Sequence, residues 1–526
     1  MIDKIKLKNY KKFRDEEIIF NPGRNILVGE NGVGKTSILN AISYVLSGSY
    51  SKIETVGISS LFNNGIIDTY MEGARKYIDL PVLEIELYIN ESIINYDING
   101  KHNSEKRECN GLKLSISPDD DFSIQMMEAL KSSVAFPFEY YKVEFLTFLG
   151  TSYNSMKRYK SFIRHSLIDT TRINSEYAIK EYVTKLYDSQ GDDEKRKAIN
   201  NAYRENAAVF SDELYKKYKL EESTDGYIVT LDVNHENTFK NNITVRKDGI
   251  DIKNLGQGER VFINADFSLE KAPKDLNIVL IEEPENHLSY LSMHRLIDKI
   301  VAEEDKQTFI ATHSNMIAAR LNLKNVIFFS DEGCIKLSEL PNSHAKFFEK
   351  APENNVLNFI LAKNTILVEG SAEYIVMEEF FKHIKQCEMH KTSTALISCG
   401  GKTFKNYLVL ARMLKKKTAV ITDNDHDYKK NVEDNYQDYI NEYVKVFAEK
   451  DNNLRTFEVV LYENNQKFYT DNIESSKMLN GVKDYMLNNK AEAALKLLNI
   501  LETKTELYDD FEIPIYIKDA IEWVSK

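Results

Sequence analysis

Two groups of residues in this sequence have the types and spacing to do chemistry. Gly29-Glu30-Asn31-Gly32-Val33-Gly34-Lys35-Thr36 fits G-x-x-x-x-G-K-[ST] between an apolar strand and a helical pattern. Such a loop turns successive backbone N–H groups toward phosphate, and the helix N-terminus adds positive potential. Lys35 is expected to reach the β- and γ-phosphates and Thr36 to ligate Mg²⁺. Asn31, Gly32, Gly34 and Ser37 complete the expected ATP cradle. The other half of such a site is an apolar strand ending in carboxylates, and Val279-Leu280-Ile281 runs into Glu282-Glu283-Pro284-Glu285. Glu282 is expected to hold Mg²⁺ and Glu283 to act as general base for the attacking water. His313 follows a further apolar strand, where a γ-phosphate-sensing side chain belongs.

The second group lies later. Ile366-Leu367-Val368 runs into Glu369-Gly370, and Ala419-Val420-Ile421-Thr422 runs into Asp423-Asn424-Asp425. Carboxylates at the C-terminal ends of neighbouring parallel strands converge on the crevice where α/β sheets bind ligands. Glu369, Asp423 and Asp425 would repel one another unless they gather a hard, oxygen-loving cation, Mg²⁺ or Mn²⁺.

The positioning elements are legible as patterns. Ile5-Lys6-Leu7 opens a hairpin, with Lys11 to Glu17 read as a polar crossing, and a buried strand, Asn25–Val28, leads into the loop. A helix is expected from Thr36 to Leu46, and alternating strands at Leu83–Ile89 and Tyr227–Val233. Residues 156–220 carry charges, Tyr and Leu at helical spacing, broken at Ser189–Asp193. That reads as an inserted helical hairpin, either a dimerisation arm or a pair packed on its own domain. From Asn277 to Phe329 strand and helix alternate, and from Thr365 to Thr422 they do so again, which predicts two α/β units. The polar stretch Ser338–Asn355 is the linker expected between them. The domains are therefore set at 1–155 and 221–345 (ATPase), 156–220 (insert) and 356–526.

Composition bounds the class. With 526 residues, 42 % hydrophobic and 29 % charged, the chain is an ordinary globular one of several domains. The net charge of −12 excludes a surface that attracts nucleic acid everywhere, though not a local basic groove. Lys157-Arg158-Tyr159-Lys160, Lys402, Lys415-Lys416-Lys417 and Lys429-Lys430 are candidate phosphate contacts. No run approaches the ~18 apolar residues of a membrane span. Four scattered cysteines and no secretory leader lead to the expectation of a cytoplasmic protein without membrane attachment.

The order and wording of these motifs carry a resemblance. The hairpin, the loop, Glu282–Leu288 and Ala311–Ser314 look like the ABC-type ATPases of the RecF and SMC group, whose sites are completed by a second subunit. The group's Leu-Ser-x-Gly signature corresponds to Leu255-Gly256-Gln257-Gly258, with Gly256 at the Ser position, and this departure implies weak or regulatory ATP turnover. The Glu-Gly…Asp-x-Asp arrangement resembles the Toprim domain of topoisomerases, primases and certain nucleases. An ATPase with a helical insert followed by Toprim is the layout of the OLD (overcoming lysogenisation defect) nucleases, including the Gabija ATPase subunit and some retron-associated effectors. The resemblance implies an α/β chain with an N-terminal ABC-type ATPase, an inserted dimerisation arm and a C-terminal Toprim domain. It implies ATP with Mg²⁺ or Mn²⁺ as cofactors, two-metal cleavage of double-stranded DNA, and a homodimer or homotetramer. Possible partners would be a helicase, as in Gabija, or a retron reverse transcriptase with its msDNA, in anti-phage defence. It also extends the second site to Glu373, four residues after Glu369, to Glu458 as a later acidic ligand, and to Lys490 as a late catalytic lysine. Glu458 can equally be read as a strand-end carboxylate, and Lys490 as a solvated lysine at a helix start. A structural ATPase whose Toprim domain binds without cutting is the alternative reading.

Overall fold

The computed structural model describes residues 1–91, 96–132, 135–154, 164–169, 183–184, 186–187, 193–218, 239, 242–266, 276–303, 305–330, 333–351, 355–400, 403–473, 481–504, 508 and 510–526. These form two compact units, Met1–Asn25 with Gly34–Thr312, and Ile26–Val33 with His313–Lys526.

In the first unit, strands β1 (Ile2–Tyr10) and β2 (Phe13–Ile19) make the expected hairpin, so most of the stretch read as a polar crossing is a strand. Helix α1 (Lys35–Ser47) also belongs to this unit, while strand β3 (Arg24–Gly29), which leads into the phosphate loop before it, lies mostly in the second. Strands β4 (Leu83–Ile89), β5 (Asn99–Gly100), β6 (Cys109–Pro118) and β7 (Tyr141–Thr147) extend the hairpin into one antiparallel sheet. Leu83, Ile85 and Leu87 are wholly buried, because β4 is an interior strand with β1 and β6 on either side.

Strand β8 (Arg164–Asp169) pairs parallel with β11 (Leu276–Glu282), which pairs in turn with β12 (Gln307–Ala311). Part of the expected helical insert is therefore strand. Its polar residues hide any two-residue alternation, and pairing along β11 decides its conformation. The remainder includes a long helix, Asp193–Tyr218. Strands β9 (Arg246–Lys247) and β10 (Ile250–Asp251) close a tight hairpin whose central Asp248 and Gly249 both have positive φ, as its backbone twist demands. The strand expected at Tyr227–Val233, the break at 189–192, the basic run 157–160 and Lys402 lie outside the described residues.

In the second unit, residues Ile26–Gly29 of β3 pair parallel with β13 (Val326–Ser330), which carries an antiparallel neighbour, β14 (Gly333–Lys336). The expected linker is instead largely helical at Asn342–Lys350. Ala345 and Phe348 fall on one face and are buried, so its polar character belongs to its exposed side.

Beyond it stands a four-stranded parallel sheet in the order β16 (Thr394–Ser398), β15 (Asn364–Val368), β17 (Lys417–Ile421), β18 (Val444–Phe447). Helices α2 (Ser371–Lys385), α3 (Phe457–Asn464), α4 (Lys490–Thr503) and α5 (Ile515–Val524) share its core, where Ile366, Val376, Phe380, Ile421, Leu497 and Ile517 are buried. Near-continuous apolar strands such as Thr-Ile-Leu-Val follow from burial on both faces of a parallel sheet. Among the described residues no helix is long and apolar enough to cross a membrane.

Candidate functional site

The phosphate loop needs backbone that only glycine adopts without strain: Gly32 has φ +78° and Gly34 φ +102°. Helix α1 begins directly after Gly34 without a side-chain cap, which leaves its first amides directed at the loop. Lys35 is buried, and burial lowers its pKa, with the carboxylates of Glu283, Glu285 and Glu282 pulling the other way. Thr36 Oγ1 donates to Glu282 Oε1. The hydroxyl and carboxylate expected to share a Mg²⁺ are therefore already side by side.

Glu283 follows with a left-handed backbone, φ +43°. Its N–H is tied to Ala311 O at 2.9 Å and its Oε2 accepts from Asn286 Nδ2 at 2.7 Å. Such a conformation costs roughly 1 kcal/mol for a non-glycine residue and marks a place where side-chain direction outweighs local ease. Thr312 donates to Glu285 at 2.8 Å. The signature-like stretch lies against this segment. A helix starts at Gln257, and a Cβ on Gly258 would collide with the carbonyl of His287. Asn31, Gly32 and His313 belong to the other unit; Ser314, beside His313, caps the helix Asn315–Arg320 by accepting from Ile317 N–H at 3.4 Å. The Ser37 carbonyl accepts from Tyr10 at 3.1 Å.

The second site is built at the C-terminal edge of the parallel sheet. The register pairs Val368 with Ile421, so Glu369 and Thr422 leave their strands together, and Thr422 Oγ1 donates to Glu369 Oε2 at 3.3 Å. Asp423 comes next. Its Oδ1 accepts from the N–H of Phe457 at 2.8 Å, at the first turn of α3. One residue on, Glu458 is 3 % exposed, and it holds the Lys490 ammonium at 2.9 Å. Glu458 is thus a buried helix-start residue, not a strand-end one, and Lys490 is half-exposed but paired. Glu373 is buried in the first turn of α2.

These groups act on one another. Burial first, then the charges of Glu373, Glu369 and Glu458, push the Asp423 carboxyl up to about 7, with Lys490 opposing. Glu373 is raised in the same way, by burial and by Glu458 and Glu369. Burial works against the charge on Lys490, but its bond to Glu458 and the charges of Glu458, Asp423 and Glu373 outweigh it and raise its pKa. Buried carboxylates held together against their repulsion are suited in donor type and charge to a hard divalent cation. Among the described residues no three such side chains yet form a finished cage.

Asp425 stands apart. It is exposed with φ +46°, while Asn424 between the two aspartates is buried and donates to the carbonyls of Glu449 and Asp451, each at 2.9 Å, and of Leu454 at 3.3 Å. That anchor, which no motif flags, fixes the loop and directs Asp423 inward. Lys416 corrects a further expectation. Lys415 ends its helix in a left-handed turn and stays exposed, whereas Lys416 is 6 % exposed and unavailable to a DNA backbone.

A family model described as "AAA ATPase domain" matches residues 1–144 and 150–318, more than half of the chain. The chain belongs to this AAA ATPase family. A second model, the Toprim domain of overcoming lysogenisation defect protein-like proteins, matches residues 360–425. The chain therefore has the ATPase–Toprim architecture of the OLD family.

Curated relatives match shorter stretches. The "DNA replication and repair protein RecF" of Desulfitobacterium hafniense is 47 % identical over 47 residues, 9 % of this chain and 13 % of RecF. The "DNA double-strand break repair Rad50 ATPase" of Thermoplasma acidophilum is 50 % identical over 48 residues, 9 % of this chain and 5 % of Rad50. The chain thus spans only a small part of these relatives' length. Among solved structures, the Smc head domain of Pyrococcus furiosus with an extended coiled coil, bound to the C-terminal domain of ScpA, is 16 % identical with a TM-score of 0.34, covering 66 % of this chain and 99 % of its own.

Proposed function

We propose that this OLD-family protein is a DNA endonuclease that binds ATP, requires a divalent metal and is gated by nucleotide. The observation that carries the reading is the mutual coupling of Glu369, Glu373, Asp423 and Glu458 around Lys490 at the edge of a Toprim sheet. In this reading those four carboxylates, with Asp425 at the rim, hold Mg²⁺ or Mn²⁺. Two such ions, when bound, supply an activated water and charge stabilisation at the leaving oxygen of a phosphodiester. Lys490 is kept beside the site by Glu458 and offers its ammonium to the charge developing on the phosphate.

At the other site Lys35 and the loop amides of Asn31, Gly32 and Gly34 take the phosphates of ATP, Thr36 and Glu282 its Mg²⁺, and Ser37 and His313 complete the cradle. Glu283 orients the hydrolytic water. Cleavage of DNA needs no ATP energy, so nucleotide serves to license or restrain the cut. The ATPase part takes 1–155 and 221–345, the nuclease part 356–526, and 156–220 serves assembly into a dimer or tetramer. Double-stranded DNA is the substrate and anti-phage defence the role, in the cytoplasm, with a helicase or reverse-transcriptase partner supplying the trigger.

The names of the relatives, a DNA replication and repair protein and a DNA double-strand break repair ATPase, favour a second reading, an ATPase whose Toprim domain binds DNA without cutting. One experiment separates the two: nicking of supercoiled plasmid with Mg²⁺ or Mn²⁺, with and without ATP, beside Asp423→Ala. Cutting lost in the variant supports the nuclease. DNA bound by both proteins and cut by neither supports the platform.

A further inference from the structure

Neither proposed site uses Lys416, and it is the buried lysine of the Lys415–Lys417 run. Its ammonium donates to the carbonyl of Ala362 and lies 5.5 Å from the centre of the Phe328 ring. Phe328 pairs in register with Val28, two residues before Glu30 of the phosphate loop. Glu30 and Ala362 line the same cavity of about 470 Å³, with Glu388, His390 and Thr394. Burial lowers the lysine's pKa to about 7, and Glu30 is the carboxylate that acts against this. On its other side Lys416 leads straight into β17, whose far end delivers Asp423. The lysine therefore stands between β13, the strand paired with the one that feeds the phosphate loop, and β17, the strand that feeds the carboxylates.

We propose that Lys416 is a positioning residue that transmits occupancy of the phosphate loop, through Glu30, to the strand that ends at Asp423. The inference rests on the nucleotide-gated reading above. A nucleotide brings several negative charges to the loop and fixes its backbone. Charge interactions with a buried ammonium are weakly screened, so a change at Glu30 is felt at Lys416. Strand β17 has a neighbour on each edge and its residues Ala419, Val420 and Ile421 are buried, so it moves as a unit rather than bending residue by residue. The result is a coupling free energy between two sites, reciprocal by necessity.

The protein contains its own reporter. Trp523 is the single tryptophan, and Lys417, next to Lys416, lies 5.5 Å from its ring centre. The full-length protein is titrated with ATP and Mg²⁺ while Trp523 emission is followed, and bound ATP is counted independently by equilibrium dialysis with radiolabelled nucleotide. Wild type is expected to show a saturable emission change. Lys416→Met is expected to bind ATP and lose most of the change per bound nucleotide. Lys416→Gln keeps a donor for Ala362 O, removes the charge, and carries the test if the Met variant fails to fold. Glu30→Gln combined with either should add no further loss beyond the larger single effect. The proposal is overturned if both Lys416 variants keep the full response, or if wild-type Trp523 ignores nucleotide that dialysis shows to be bound. Absence of bound ATP in wild type would instead refute the nucleotide reading itself, and the proposal with it.

Discussion

Replacing Lys416 by methionine tests whether its burial has the energetic weight the structure assigns. A lysine that titrates near 10.5 when unfolded and near 7 when folded is destabilised as a cation by about 5 kcal/mol, at ~1.4 kcal/mol per pH unit. The sign follows from proton counting. Between pH 7 and 10.5 the unfolded chain keeps a proton that the folded chain has shed, so stability rises with pH through that window. Below pH 7 the full penalty remains. Methionine keeps the stem's volume and removes the penalty, at the cost of leaving Ala362 O without its donor, about 1–3 kcal/mol.

Lys416→Met is therefore expected to be more stable than wild type at pH 6.5. About 2–3 kcal/mol of that advantage should vanish by pH 9, as the wild-type lysine sheds its proton more cheaply. Urea unfolding followed at Trp523, which sits on α5 beside Phe447 of β18, reads the C-terminal unit alone. Taking the difference between two proteins removes groups that titrate identically in both. A difference that stays constant from pH 6.5 to 9 would refute the reasoning, because no lysine of ordinary pKa changes its charge in that range.

Other outcomes follow from the same geometry. Asp423→Asn keeps the acceptor for Phe457 N–H and removes one of four mutually repelling charges, so the metal-free protein should gain about 1–3 kcal/mol at pH 8 in calorimetry while plasmid nicking disappears. Lys490→Met leaves Glu458 buried without its cation. A loss of about 1–2 kcal/mol is expected, discounted for the lysine's partial exposure, and Glu458→Gln in the same chain should recover most of it. Gly258→Ala forces the helix at Gln257–Asp266 away from His287 O and should destabilise the first unit by about 1–3 kcal/mol and lower ATP turnover, measured by thermal unfolding and phosphate release. Lys35→Ala should abolish ATP binding in dialysis with little change in melting temperature, since the wild-type charge is itself disfavoured by burial.

What could be read from the residues alone was whatever the local chain dictates. Glycines at positive φ, apolar runs buried on two faces and carboxylates placed at strand ends are written into a few consecutive positions. The phosphate loop, β11, β15 and β17 were legible for that reason. Strand β8 was not, because Arg164-His165-Ser166 gains its conformation from pairing along β11 and not from its own pattern. The helix at Asn342–Lys350 was read as a linker because its exposed face dominates its composition. Lys416 was read with its charged neighbours, and only the left-handed turn at Lys415 shows that one of three consecutive lysines points inward. Asn424 is a residue of turns, and its three carbonyl partners lie some 25 to 30 positions later, beyond any local signal.

The pairing of β3 with β13 also sets a timetable for synthesis. Val28 meets Phe328, three hundred positions further along the chain. At roughly 5–20 residues per second, a ribosome needs about 15–60 s between making the two strands. Throughout that interval the strand that carries the nucleotide loop has been made without this partner, while the β1–β2 hairpin, whose strands adjoin in sequence, can close at once. The nascent chain therefore carries one apolar strand without this partner for tens of seconds.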